Sequence, residues 1–355
     1  MARVCSSVFF PRVSEGSPQR EFRLLVVQRA ARGRFSPLIP HWAQLPGWQV
    51  RSAANLGSMR MPTAAMRPHA VLVDTDPGTA ARVLRDFPEA HQVLHVDERT
   101  DPADAAGFDA VVCSSWWQRD RHPEVLRARI DVIHEGIAVA PFHPAGNVRS
   151  RAGRPLCRGE PVLSVLMDDW ADPDDARALA GALEWVLRAR TDCRVLVIGR
   201  PLPSVSGSAA DLARIDLVDD PGEGRRGALL ALSRVHLHPG RSSQSALESM
   251  AYGCATVAPG HAPAREVLRD GVSGRLAATT SAAALGDAAI GLLDDPATAE
   301  RYGREARADV ARDYDVATAA RRYARLLHGP LDDEENLPWS ALPCRESVAA
   351  YSLHQ

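Results

Sequence analysis

From His236 to Gly260 the chain reads HLHPGRSSQSALESMAYGCATVAPG. An apolar run of strand length gives way to a small polar loop. The loop leads into a helical pattern, and Gly253 follows it before a second apolar run, Ala255 to Ala258. Glycine just past the last helical residue is a stop signal, because it alone enters the left-handed conformation without steric cost. Two strands joined through a helix are parallel, so this stretch predicts a parallel sheet.

The same alternation extends in both directions. Upstream, Phe22 to Val27, Trp48 to Arg51, His69 to Val73, His91 to Val96, Asp109 to Cys113 and Ile130 to His134 read as strands. Between them lie helical stretches, one over Phe35 to Gln44 and one running through Phe87. Ala145 to Gly159 is rich in Gly, Arg and Pro, lacks periodicity and reads as a linker. Beyond it, Pro161 to Met167, Arg194 to Ile198, Ile215 to Val218 and Val235 to Leu237 read as strands. Pro173 to Ala189, Ser281 to Leu293, Thr298 to Tyr314 and Val316 to Leu327 read as helices. Continuous apolar strands alternating with helices indicate an α/β protein whose parallel sheets are covered on both faces. The expected division is an extension over 1–21, one unit over 22–150, a second over 151–315, a last helix over 316–329 and a tail over 330–355. Two such units point their strand C-termini at a common cleft, where ligands of open α/β sheets bind.

Composition narrows the chemistry. All 42 basic residues among 355 are arginine, and there is no lysine. That excludes Schiff-base and pyridoxal-phosphate enzymes and Walker-type phosphate loops, all of which need an ε-amine. The net charge of −2 favours neither nucleic acid nor an anionic membrane as partner. Cys5, Cys113, Cys157, Cys193, Cys254 and Cys344 form neither a Cys-x-x-Cys pair nor a zinc-spaced cluster, which fits a reducing cytoplasm. Val8 to Phe10 is too short for the apolar core of a signal peptide, and no apolar run reaches the ~20 residues of a bilayer span.

Several residues carry possible chemistry. Gly240, Arg241, Ser242, Ser243, Gln244 and Ser245 precede or open the helix that carries Glu248. Free N–H groups and a guanidinium there suit a phosphate, and Glu248 one turn later suits sugar hydroxyls. The Ser245-x-x-Glu248 spacing equally fits a capping box with no ligand. Arg200, following Gly199, and Val218 close neighbouring strands; Arg200 reads either as a phosphate contact or as a solvent-facing loop residue. Met167 is followed by an acidic run, Asp168 to Asp175, which also reads as a polar loop capping the next helix. In the first unit, Asp74, Asp76 and Gly78 follow a strand, either as an acid/base or sugar-contacting loop or as a turn. His134 and Glu135 end another strand as sugar or phosphate contacts, with His134 equally readable as structural.

The stretch LESMAYGCATVAPGHAPAREVLRDGVSGRL resembles the donor-binding pattern of family-four retaining glycosyltransferases of the GT-B fold. RLLVVQRAARGRF, with Gly33 at its glycine, RPHAVLVDTDPGTAARVLRDFPEAHQVLHVDE, and DAVVCSSWWQRDRHPEVLRARIDVIHEGI are similar to N-terminal segments of a bacterial subgroup of that family. The resemblance spans about residues 22–328. It implies two Rossmann-like domains facing a cleft: an N-terminal acceptor domain, a C-terminal nucleotide-sugar domain, and a last helix that crosses back to the first. It further implies glycosyl transfer with retention from a nucleotide-diphosphate sugar, with no metal and no cofactor beyond that co-substrate. Glu248 would contact the ribose, and the loop before it the diphosphate. The acceptor class stays open among saccharide, lipid-linked saccharide, small molecule and protein, as does oligomeric state. The family's first motif glutamate falls at Gly240, and its basic diphosphate pair falls on the acidic run after Met167. Those departures support an alternative, a catalytically degenerate homologue acting as a binding or scaffold partner.

Overall fold

The computed structural model describes residues 21–328 except 30–32, 55–66, 98–99, 139–147, 150–154, 157–158, 168–172, 200–204, 219–222, 239, 241–242 and 261–262. The expected N-terminal extension and tail, Arg200, Arg241, Ser242 and Asp168 to Asp172 therefore lie outside the described residues.

The N-terminal lobe contains β1 (Phe22–Gln28), α1 (Ile39–Trp42), β2 (Trp48–Ala53), β3 (Ala70–Asp74), α2 (Pro77–Asp86), β4 (His91–His95), β5 (Ala110–Cys113), α3 (Trp116–Asp120), α4 (Glu124–Arg127) and β6 (Ile130–Val132). Its six strands run parallel in the order β2-β1-β3-β4-β5-β6. The helix expected over Phe35 to Gln44 is instead a series of turns followed by the four residues of α1. Pro37 and Pro40 offer no backbone N–H, which keeps a longer hydrogen-bonded ladder from forming here.

Alternate residues of β1 leave on opposite faces. Leu24 and Val26 join one apolar cluster, and Leu25 and Val27 another, all fully buried. This two-sided burial explains why the strands read as unbroken apolar runs.

The stretch read as a linker holds a small antiparallel pair, β7 (Val148–Arg149) with β8 (Pro155–Leu156). The C-terminal lobe follows with β9 (Val162–Met167), α5 (Pro173–Ala189), β10 (Arg194–Gly199), α6 (Ala209–Leu212), β11 (Ile215–Val218), α7 (Glu223–Leu232), β12 (Val235–Leu237), α8 (Gln244–Ala251), β13 (Ala255–Pro259), α9 (Ala264–Val267), β14 (Gly274–Ala277), α10 (Ala282–Asp294) and α11 (Pro296–Asp313). The strand order is β11-β10-β9-β12-β13-β14, all parallel. This is the Rossmann order, whose direction of winding reverses between β9 and β12.

The last helix among the described residues, α12 (Val316–His328), returns to the first lobe. Its buried residues Val316, Ala319, Ala320, Tyr323, Ala324 and Leu327 follow helical spacing and pack with Leu24, Val26 and Leu72 of the N-terminal sheet. Trp42 Nε1 donates to the Ala320 carbonyl at 2.9 Å and ties α1 to it. Cys113, Cys193 and Cys254 are buried free thiols. Burial pushes them up to about 11, 12 and 12 respectively, so they stay protonated and inert.

Candidate functional site

In the C-terminal lobe, the candidate site residues lie where the winding reverses. Helix α8 starts just beyond β12, with Ser243 as its N-cap and Gln244 as its first residue. Ser243 makes no side-chain capping bond. Ser245 is already inside the helix, and its hydroxyl meets His238 Nδ1 at 2.7 Å. Glu248 pairs with Arg226 Nη1 of α7 at 3.2 Å. The capping-box reading of Ser245 and Glu248 is thus corrected: the helix begins two residues earlier than that motif requires, and both side chains have tertiary partners.

Two glycines shape the strand ends around α8. Gly199 closes β10 at φ +102°, against the Met167 carbonyl at the end of β9, where a side chain would collide with backbone. Gly253 takes φ +77° just after α8 and donates its N–H to the Met250 carbonyl at 2.9 Å, closing the helix. Val218, nearly buried, ends β11 beside Ile198. Gly240 is buried.

Beneath α8 runs a polar stripe. Ser164 Oγ meets His236 Nδ1 at 3.1 Å, and Ser249 Oγ meets Thr256 Oγ1 at 2.8 Å. His236 is fully buried, and burial, with His238 beside it, holds its imidazole well below the ordinary range.

In the N-terminal lobe, Arg34 gathers the strand ends. Its guanidinium bonds Ser114 Oγ at 2.6 Å, pairs with Glu135 and lies 3.6 Å from Asp74. Gly33 precedes it, packed so closely on Gln28 that a Cβ would come within 2.6 Å of that side chain. Gln28 Oε1 accepts from the Phe35 N–H at 3.3 Å, which fixes the turn that aims Arg34. Asp76 caps α2, accepting from Thr79 N at 3.0 Å and from Thr79 Oγ1 at 2.8 Å. Those bonds, the backbone one first, lower its carboxyl below the usual range. Gly78 lies in the first turn of α2, beside the Asp76 carboxylate.

His95, at the end of β4, contacts Ser114 Oγ at 3.1 Å. Its burial, reinforced by Arg34 and Arg29, holds it well below the ordinary range and keeps it neutral. A cavity of about 530 Å³ opens at these strand ends, lined in part by Arg29, Thr75, Asp76, His95, Asp97 and Asp104.

His134 is placed apart from the Arg34 network. Its Nε2 lies 3.2 Å from Glu266 Oε2 of α9, across the lobe boundary. Glu266 also accepts the backbone N–H groups of Trp116 and Trp117, at 2.9 and 2.6 Å. The C-terminal ends of both sheets therefore approach one another here, since α9 follows β13 while α3 and His134 follow β5 and β6.

Sequence reasoning had not singled out Arg34, His95, Ser114, Arg226 or Glu266. A polar residue that closes an apolar strand was the available signal for His95 and Ser114. Arg226 carries no local signal, and Glu266, although it lies in the stretch that resembles the donor-binding pattern, gives no sign of its role, because their partners lie 22 and 132 to 150 residues away.

Two buried neutral histidines set the acid response. In the unfolded chain each binds a proton near pH 6.5, whereas the folded state resists it. Stability is therefore fully present above about pH 6.5 and is lost as pH falls below it, by at most about 1.4 kcal/mol per pH unit for each histidine. The melting temperature is expected to be level from pH 7 to 8 and to fall from pH 6.5 to 5. His236→Asn should shallow that slope in a thermal-denaturation series.

Comparison with known proteins adds three findings. Residues 230–309 match the family model described as glycosyl transferases group 1, and residues 72–142 match that of the glycosyl transferase family 4 group. Over 193 residues the chain is 31% identical to the phosphatidyl-myo-inositol mannosyltransferase of Mycobacterium leprae, covering 51% of this chain and 50% of that protein. The chain thus spans about half the length of the curated relative it matches. Among solved structures it is similar to the sucrose-phosphate synthase of Thermosynechococcus elongatus, with TM-score 0.66, 14% identity, and coverage of 86% of this chain and 98% of that one. It is also similar to a glycosyltransferase from Rickettsia africae, with TM-score 0.64, 13% identity, and coverage of 86% and 98%. Anabaena HepE, solved with UDP and glucose, matches with TM-score 0.61, 14% identity, and coverage of 87% and 100%. The chain has the GT-B fold, and each lobe carries a glycosyltransferase sequence signature.

Proposed function

We propose that the chain transfers a sugar from a nucleotide-diphosphate donor to a hydroxyl of a neutral polyol or saccharide, with retention of configuration. The observation that carries this reading is the position of α8, which starts just beyond β12 at the winding reversal of a Rossmann-ordered sheet, with Glu248 one turn inside. The amides of a helix's first turn stabilise an anionic leaving group. The sequence adds Arg241 between Gly240 and Ser243 as a cation for the diphosphate, and Glu248 would take the ribose hydroxyls. Leaving-group charge would then be balanced by amides and guanidinium groups, with no metal or other cofactor.

The acceptor would occupy the cavity at the ends of β1, β3 and β4. Its described lining carries three carboxylates, Asp76, Asp97 and Asp104, against Arg29. Carboxylates accept from sugar hydroxyls and repel phosphate esters. Gly240 in place of a glutamate supports a second reading, in which the fold binds nucleotide without turnover.

A thermal-shift screen of nucleoside diphosphates and their sugars tests the first point. At least one is expected to raise the melting temperature, and no shift with any of them at millimolar concentration would overturn it. For transfer, neutral sugars should outperform their 6-phosphate esters as acceptors. A preference for the esters would contradict the cavity assignment. Nucleotide binding without release of nucleotide under any acceptor condition would instead favour the second reading.

A further inference from the structure

Glu266 belongs to the C-terminal lobe, yet its carboxylate is engaged by the other lobe. Trp116 N, Trp117 N and His134 Nε2 surround it at 2.9, 2.6 and 3.2 Å, and its side chain is only 11% exposed. The residue is anchored on its own side through its backbone. Its N–H donates to the Pro263 carbonyl at 2.9 Å, and its carbonyl accepts the Tyr314 hydroxyl at 3.1 Å. The Tyr314 ring stands edge-on to His134, with centroids 5.3 Å apart.

The same spot is where the chain passes between the lobes. Ile137, leaving the first lobe, donates its N–H to the Tyr314 carbonyl at 2.8 Å, and Val316, entering α12, donates to the Ile137 carbonyl at 3.1 Å. A contact beside both crossings has a short lever arm. A small change there swings the far rim of the cleft through a larger distance.

We propose that Glu266 is a positioning residue that sets the angle between the lobes, and so the placement of acceptor against donor. Its effect on turnover rests on the glycosyltransferase reading; its effect on lobe geometry does not. The carboxylate is suited to the role because it presents two acceptor oxygens to two parallel amide donors and a ring nitrogen. An isosteric glutamine offers one acceptor oxygen and places an NH2 group against a donor.

The test uses the full chain. Because it has no lysine, Glu89→Lys and Glu300→Lys create unique attachment sites for a dye pair, one per lobe on exposed positions, once the N-terminal amine is blocked. Glu266→Ala and Glu266→Gln are each expected to shift or broaden the inter-dye distance distribution. Both should lower kcat by about ten- to a hundredfold, while the nucleotide-induced melting shift and the donor KM stay within about twofold of the parent. An unchanged distance distribution in both variants would overturn the proposal, as would full recovery by Glu266→Gln, which would mean that the side chain only fills space. If the parent shows no transfer, the distance measurement still decides the role of Glu266. If the distances are unchanged while the parent transfers sugar, the glycosyltransferase reading stands and this inference falls.

Discussion

Glu248→Ala is expected to lower donor-dependent turnover about 100-fold and to remove most of the melting shift produced by a nucleoside diphosphate. Hydrogen bonds to a charged group contribute about 1.5–3 kcal/mol each. Losing a carboxylate that holds ribose hydroxyls costs about 3 kcal/mol on that scale, or roughly two orders of magnitude in affinity. In the unliganded protein the same carboxylate pairs with Arg226, and both side chains are partly exposed, at 16% and 27%. A partly exposed pair contributes little to folding. The substitution should therefore spare the unliganded melting temperature to within a degree or two while removing the response to nucleotide. Arg226→Ala separates the two roles, since it removes this ion pair while keeping the Glu248 carboxylate. If Glu248→Ala left the nucleotide response intact, the donor would have to be held elsewhere.

The second large effect concerns Arg34. Its guanidinium serves Ser114, Glu135 and Asp74 together, and Glu135 and Asp74 are only 15% and 14% exposed. Removing one partner of a buried ion pair strands the other, at about 3–5 kcal/mol in a dry interior. Arg34 is 26% exposed, so water reclaims part of that cost and about 2–3 kcal/mol remains for Arg34→Ala. The corresponding fall in melting temperature is roughly 5 °C. Arg34→Lys should recover less than half of the loss, because an ammonium lacks the planar fork that reaches several acceptors at once. Acceptor-dependent turnover should drop further than donor binding, since the network lies at the strand ends of the N-terminal lobe. A melting temperature unchanged by Arg34→Ala would show that the two carboxylates do not depend on it.

The contrast between these residues explains what the sequence makes legible. The central strands β1, β3, β9 and β10 were readable because they are buried on two faces, and α12 because its buried positions keep helical spacing. The start of α8 was readable because a strand, a loop, a helix and Gly253 sit within one short stretch. Lone short elements were less so. β14 carries only four residues, and the turns before α1 resemble a helix until the two prolines are counted. In the site, Asp74 and Glu135 were visible as polar residues closing strands. Arg34, which joins them, sits 40 and 101 residues away in the chain. Glu266 was hidden for the same reason: its meaning depends on a contact between lobes, and no local pattern encodes that.

Because α12 supplies one wall of the first lobe's core, that lobe is assembled from segments that lie on either side of the second lobe in the chain. During synthesis the ribosome emits β1 early, but the cover for Leu24, Val26 and Leu72 emerges only after the second lobe has been made. Domains commonly fold in the order in which they are translated. Here the lobe begun first is completed after the second, and a nascent chain stopped before Val316 should present an apolar sheet face to chaperones and bind them until α12 arrives.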